Sequence, residues 1–303
     1  MVKTVRLPRK TNKQKNVKAP QSKLMVYVIA LTVISVLLFT GAFAIFELRP
    51  TKETVRSERK VIPREVHVAP PKTNVRIPIL MYHYVEYVKD KRDTIRQTLD
   101  VVPFTFEQQI KTLTEAGYTF LTASELADIL DGKMAVPPKP ILLTFDDGHW
   151  DLFTDVLPIL EKYHVKATAY IISGFIGGAD FMNKDQLEAV IRSGLIEIGA
   201  HTVHHISLAH KIQPVVQFEV AHSKEDLESQ YHVHVVSFAY PNGSFDQQAI
   251  DAVTLAGFRT AVSTVPGIEQ SDSNRFFLFR LRPGGRTGDT LLHYLEQTVF
   301  KPW

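Results

Sequence analysis

Cysteine is absent from the 303 residues, which removes disulfide cross-links, Cys-ligated zinc and thiol nucleophiles from consideration. No glycine-rich phosphate loop follows any apolar run, so nucleotide binding has no support. Positive charge is also short once the N-terminus is set aside. Residues 1–23 carry eight Lys/Arg and no acid, leaving 27 basic against 32 acidic residues in the remainder. The basic charge thus sits in a tail and not on a folded face, which argues against a nucleic-acid partner. What remains is ordinary globular composition, 45% hydrophobic and 22% charged, enough for one large domain or two small ones.

Charge is missing altogether from residues 24–46. As a helix this run is about 35 Å long, sufficient to cross a hydrocarbon layer of roughly 30 Å. The basic tail before it places residues 1–23 in the cytoplasm and everything after residue 46 outside. The expectation is a membrane-bound signal anchor at 24–46. Cleavage after Ala42-Phe43-Ala44, giving a secreted protein, is the alternative. Residues 47–75 hold 11 charged residues and four prolines with little apolar periodicity, the composition of a solvated stem.

From residue 76 to 303 the pattern is that of one α/β domain. Apolar runs rich in β-branched residues (75–82, 141–145, 167–172, 196–200, 233–240, 260–264) alternate with helical spacing at 104–116, 123–130, 152–163, 184–193, 215–231 and 247–256. Alternation of this kind predicts βαβ units and a parallel sheet, either a closed or distorted barrel or an open doubly wound sheet.

Two clusters at the ends of such runs carry chemistry. Asp146 and Asp147 follow an apolar strand and precede Gly148. Strand neighbours face opposite ways, so a turn helped by the glycine is needed to aim both carboxylates into one cleft. His201-Thr202-Val203-His204-His205 follows the run 196–200. His201 and His205 would share a face of a helical turn, and His204 is either a bystander or the true partner of His201. Two imidazoles and a carboxylate suit a divalent first-row metal with positions left for water, and the spare carboxylate can serve as general base. That set fits a hydrolase, and equally a non-haem iron oxygenase.

Thr144-Phe145-Asp146-Asp147-Gly148, His201-Thr202-Val203-His204-His205 and Phe238-Ala239-Tyr240-Pro241-Asn242-Gly243 resemble the first three motifs of polysaccharide deacetylases, the carbohydrate esterase family 4 enzymes with the NodB homology domain. The resemblance spans residues 76–303, with the homology core at about 138–303. It implies a deformed (β/α) barrel of NodB type and metal-dependent removal of N-acetyl groups from N-acetylglucosamine polymers. By the family pattern Asp146 is the base, Asp147, His201 and His205 hold zinc (or Co2+, Ni2+ or Mn2+), and Tyr240 and Pro241 lie in the substrate-binding motif. The third motif departs from many members: Ala239 stands where they have Arg, and Asn242 where they have an aromatic. The backbone N–H of Asn242 can still serve as an oxyanion donor. The missing guanidinium leaves the orientation of Asp146 to Arg280 or Arg282.

Ile79-Leu80-Met81-Tyr82-His83 resembles the membrane-linked branch, which includes peptidoglycan and poly-N-acetylglucosamine deacetylases. It also resembles the late Leu-x-His motif moved to the front of the domain. His83 is therefore expected to protonate the leaving nitrogen, with His293 as its competitor. His149, Trp150, His164, His210, His222, His232 and His234 read as structural or surface residues. The expected function is N-deacetylation of an N-acetylated glycan outside the membrane. O-deacetylation and a catalytically weak glycan-binding protein are the alternatives, and the sequence names no protein partner.

Overall fold

The computed structural model describes residues 74–90 and 92–297. The basic tail, the proposed membrane anchor and residues 47–73 of the stem lie outside the described residues. Among those described, no helix is long and apolar enough to cross a membrane.

Nine strands are described: β1 (Asn74–Arg76), β2 (Ile79–Tyr82), β3 (Thr119–Leu121), β4 (Pro140–Phe145), β5 (Ala167–Ile171), β6 (Ile196–Ala200), β7 (Ser237–Ala239), β8 (Thr260–Val262) and β9 (Glu269–Ser271). All but β1 and β9 form one parallel sheet in the order β2-β4-β5-β6-β7-β8, with β3 added alongside β4. The sheet curls until its edges meet through an irregular segment. Leu278 bridges Val262 of β8, and Leu281 bridges Leu80 of β2. Backbone bonds Met81 N–H to Leu281 O (2.8 Å) and Leu278 N–H to Ala261 O (2.8 Å) reinforce the joints. The architecture is therefore a deformed parallel barrel whose last stave is two single bridges. The run 75–82, expected as one strand, splits in two, and its first part pairs antiparallel with β9.

Alternation along the strands sorts side chains into two packings. Leu80, Ile141, Leu143, Ala169, Phe238 and Ala261 belong to the main core under the outer helices. Ile79, Leu142, Tyr170, Ala239, Val262 and Leu278 have the other parity and pack together inside the ring. Extended by two positions, the inner parity of β2, β4 and β6 reaches His83, Asp146 and His201. This is how a barrel delivers reactive groups to the C-terminal ends of its strands.

The outer helices begin and end for local reasons. Thr122 with Glu125 and Asn183 with Gln186 form capping boxes at the helices Ala123–Leu130 and Lys184–Arg192. Pro103 and Pro214 open the helices Pro103–Glu115 and Gln213–Tyr231, where a missing N–H costs nothing. His164 and His232 end their helices in left-handed conformations, φ 54° and 55°, which is a structural use for both histidines.

Candidate active site

Two neighbouring carboxylates leave the end of β4 in different ways. Asp146 continues the inner parity of the strand and is 3% exposed. Asp147 is brought into the same cavity by a left-handed backbone, φ 77°, followed by Gly148 at φ 83°. A side chain at position 148 would adopt this φ with strain and bring its Cβ to 3.0 Å from Ile171 Cδ1. The turn expected from the glycine is the one observed.

Arg280 supplies the guanidinium missing from the third motif. It is 1% exposed and grips Asp146 with two parallel bonds, Nη1–Oδ1 2.7 Å and Nη2–Oδ2 2.7 Å. Its remaining donors reach Thr144 Oγ1 (3.1 Å) and Ser263 O (2.8 Å). Burial raises the Asp146 pKa, but the charge and hydrogen bonds of Arg280 outweigh it and hold the carboxyl below its ordinary value. Arg282 lines the mouth of the cavity instead.

His201 donates from Nδ1 to the carbonyl of Ala239 at 2.7 Å, which turns Nε2 toward Asp147 Oδ1 at 3.3 Å. His205 Nε2 reaches the same oxygen at 3.3 Å. The two rings do not share a helical turn, contrary to the spacing argument. They converge through a tight loop in which Thr202 (φ 65°) and His205 (φ 53°) are left-handed and His205 N–H donates to Thr202 Oγ1 at 2.9 Å. His204 points away from the cavity and meets Glu219, Nδ1–Oε1 2.8 Å, so it is not the partner of His201.

The donor atoms of Asp147, His201 and His205 lie within 4.8 Å of one another. Asp147 Oδ1 is buried without a hydrogen-bond partner. Tetrahedral ligands at 2.0–2.2 Å from zinc stand about 3.4 Å apart, close to the 3.3 Å seen here. The residues therefore fit a divalent ion. Burial alone would raise the Asp147 pKa, but the close imidazoles of His149 and His201 and the charge of His201 bring it well below the usual carboxylate range. His201 is raised, its two carboxylate neighbours overcoming burial, while burial and the charge of His201 lower His205.

These groups line a cavity of about 430 Å³ together with His83, Tyr84, His149, Phe181, Tyr240 and Asn242. His83 Nε2 stands 3.9 Å from Asp146 Oδ2; burial lowers its pKa against the upward pull of Asp146 and Asp147. His293 is exposed on the terminal helix Gly288–Gln297 and is not among the lining residues. Tyr240 is fully buried, its ring packed against Phe238 and Phe245 and its hydroxyl without a protein partner, and the residue borders the cavity. Asn242 lines the cavity with a left-handed backbone, φ 58°. Pro241 is buried in that turn and is not among the cavity-lining residues; its fixed φ shapes the turn.

His149, read from sequence as structural or surface, is structural and also lines the cavity. It is buried, stacked between Tyr84 (4.1 Å) and Phe181 (4.8 Å), with Nε2 3.4 Å from Asp147 Oδ2. Its position two residues after Asp147 was the one available signal, and periodicity could not read it.

A carboxylate armed by a guanidinium, a metal-compatible triad and a facing imidazole, all at the strand ends of a parallel ring, are the parts of a hydrolase. Residues 133–261 match the polysaccharide deacetylase family model. The putative polysaccharide deacetylase YxkH of Bacillus subtilis is 29% identical over 249 residues, covering 82% of this chain and 86% of the relative. The poly-β-1,6-N-acetyl-D-glucosamine N-deacetylase of Staphylococcus epidermidis is 25% identical, covering 62% and 69%. Among solved structures, the Streptococcus pyogenes deacetylase PplD in complex with acetate superposes with a TM-score of 0.67 at 29% identity, over 75% of this chain and 100% of that one. Residues 133–261 thus carry the match to the polysaccharide deacetylase family, and relatives so described align over most of the chain.

Proposed function

We propose that this protein is a metal-dependent N-deacetylase acting on an N-acetylglucosamine-containing polysaccharide, peptidoglycan or poly-N-acetylglucosamine, outside the cell membrane. The observation that carries the chemistry is the bidentate Arg280–Asp146 pair, 2.7 Å on both sides, beside the Asp147–His201–His205 set. A divalent ion there, zinc by preference of the donor set, would polarise the acetyl carbonyl and acidify water. Asp146 takes the proton of the attacking water as its oxygen bonds to the acetyl carbon. His83, 3.9 Å from Asp146, gives a proton to the nitrogen as the C–N bond breaks, so that an amine leaves and not an amide anion. In this reading the backbone N–H of Asn242 serves the oxyanion, and Tyr240, which borders the cavity, takes part in substrate binding. Products are acetate and a free amine on the glycan.

The location rests on residues 1–46, where a basic tail precedes an uncharged run of spanning length. Acetate release from N-acetylglucosamine oligomers, with and without a chelator, tests the reaction. Release that a chelator abolishes and zinc restores is the expected result. Release only from O-acetylated polymers would assign an esterase, and glycan binding without release would remove the enzyme. Finding the full chain in the membrane fraction tests the anchor, and a mature N-terminus at Ile45 would replace it with a cleaved signal peptide.

A further inference from the structure

The loop that carries the two histidine ligands is costly to form. Thr202 and His205 both adopt left-handed backbones, which are uncommon for any side chain and worst for a β-branched one. Such strain persists only where the surroundings over-determine it. Backbone N–H groups of Ser173 and Gly174 hold the carbonyls of Thr202 (3.2 Å) and Val203 (3.1 Å), and one side chain from outside the loop holds its amides. Glu219, on the helix Gln213–Tyr231, is 4% exposed. Its Oε2 accepts the backbone N–H groups of Val203 (3.0 Å) and His204 (2.9 Å), and its Oε1 lies 2.8 Å from His204 Nδ1. Both amides fall between the ligands His201 and His205. A buried carboxyl group needs hydrogen-bond partners to be tolerated, and the three hydrogen bonds of Glu219 all go to this one loop.

We propose that Glu219 is a positioning residue of the metal centre, fixing the arc from His201 to His205 so that both Nε2 atoms meet Asp147 Oδ1. The proposal rests on the metal reading of the site. Glu219 touches neither the substrate cavity nor the ligand side chains; it acts through the backbone between them. His204 is the visible by-product, its side chain drawn outward and stacked with Phe218, ring centroids 6.3 Å apart at 15°. Without Glu219 two amides lose their acceptor, and the strained loop relaxes. The ring, whose joints lie elsewhere, stays closed.

The test is a Co2+ titration of the metal-free full-length protein, read by the visible absorption of the bound ion. Near-ultraviolet circular dichroism serves as the folding control. Glu219→Ala should keep the native fold and lose on the order of 10- to 100-fold in Co2+ affinity, the usual cost of removing a group that orients metal ligands, with an altered spectrum. Glu219→Gln should restore affinity and spectrum, because one amide oxygen can accept both N–H groups while its NH2 serves His204 Nδ1. His204→Ala should behave like the wild type. Wild-type affinity and spectrum in Glu219→Ala would overturn the proposal. If that variant fails to fold, Glu219→Asp decides: it keeps the charge but is one methylene too short. Weak binding by Asp with strong binding by Gln supports positioning, and the reverse order overturns it. A wild type that takes up no Co2+ would remove the metal reading, and this proposal with it, whereas wild-type binding unaffected at position 219 would remove this proposal alone.

Discussion

The ends of β4 and β6 solve the same problem by opposite means. At β4, Asp146 is held by a side chain 134 residues away, through two charge-assisted bonds inside the ring. At β6, the histidines are held by main-chain conformation, two left-handed residues and a carbonyl that orients His201. Asp146, as the proposed base, needs a charge partner because a buried carboxylate must be both ionised and aimed. The histidines, as proposed ligands, need only direction, since an ion would supply the charge. Loss of a partner should therefore change protonation at β4 and geometry at β6.

The largest effects should separate the two neighbouring acids. Asp147→Ala removes one of three ligands and should abolish both metal uptake and turnover. Asp146→Asn should bind metal normally yet lose on the order of 10²- to 10⁴-fold in kcat, the span of general-base catalysis. Metal content by elemental analysis beside kcat checks both. A full site in Asp147→Ala and an empty one in Asp146→Asn would reverse the assignment.

Next in size is His83→Ala, which should keep its metal while losing about 10²-fold or more in kcat. His293→Ala, altered on an exposed helix face, should remain close to wild type. The opposite ranking in acetate-release assays would return the proton donor to the end of the chain.

Arg280→Met tests the charge partner itself. A buried Asp146 left alone should cost about 3–5 kcal/mol of stability in urea unfolding. Its pKa should rise, because the group depressing it is gone, so the acid limb of kcat/KM should move to higher pH. An unmoved limb would mean that Arg280 only packs.

The smallest effect concerns Asp151, which is 2% exposed and accepts the N–H of Val85, tying the β4 loop to the segment that bears His83. Burial pushes its carboxyl up to about 6 despite that bond. A raised carboxyl pKa favours the folded state most below the unfolded value near 4, and this advantage is lost as pH rises through 6. Asp151→Asn should therefore gain on the wild type between pH 4 and 7, by at most about 3 kcal/mol for a shift of this size. Parallel pH–stability curves for the two proteins would show that Asp151 is not buried as described.

Most of the alternation was legible in sequence because each strand and helix declares itself within about ten residues. The same holds for the acids at 146–147 and the histidines at 201 and 205, which sit at strand ends. Arg280 was legible only as one of two candidates, since sequence spacing cannot say which side of an irregular segment faces the ring. What escaped was carried by contacts across the fold. His149 lies outside the parity of β4, and its role depends on Tyr84 and Phe181 closing over it. Glu219 reads as an ordinary helix residue until 15 residues upstream a loop turns its amides toward it. The helical pairing expected for His201 and His205 failed because side chain and backbone at Thr202 impose a turn that spacing does not encode.

The segment that joins the two edges of the sheet is also the one that bears Arg280. One joint is local, Leu278 to Val262, but the other, Leu281 to Leu80, reaches the opposite end of the domain, about 200 residues earlier. During synthesis the first strands must wait for almost the entire domain before the ring can shut, and until then Asp146 has no guanidinium beside it. Closure of the ring and arrival of the guanidinium at Asp146 are a single event, so a copy that stops short of Arg280 carries the acids and histidines but leaves Asp146 without its partner.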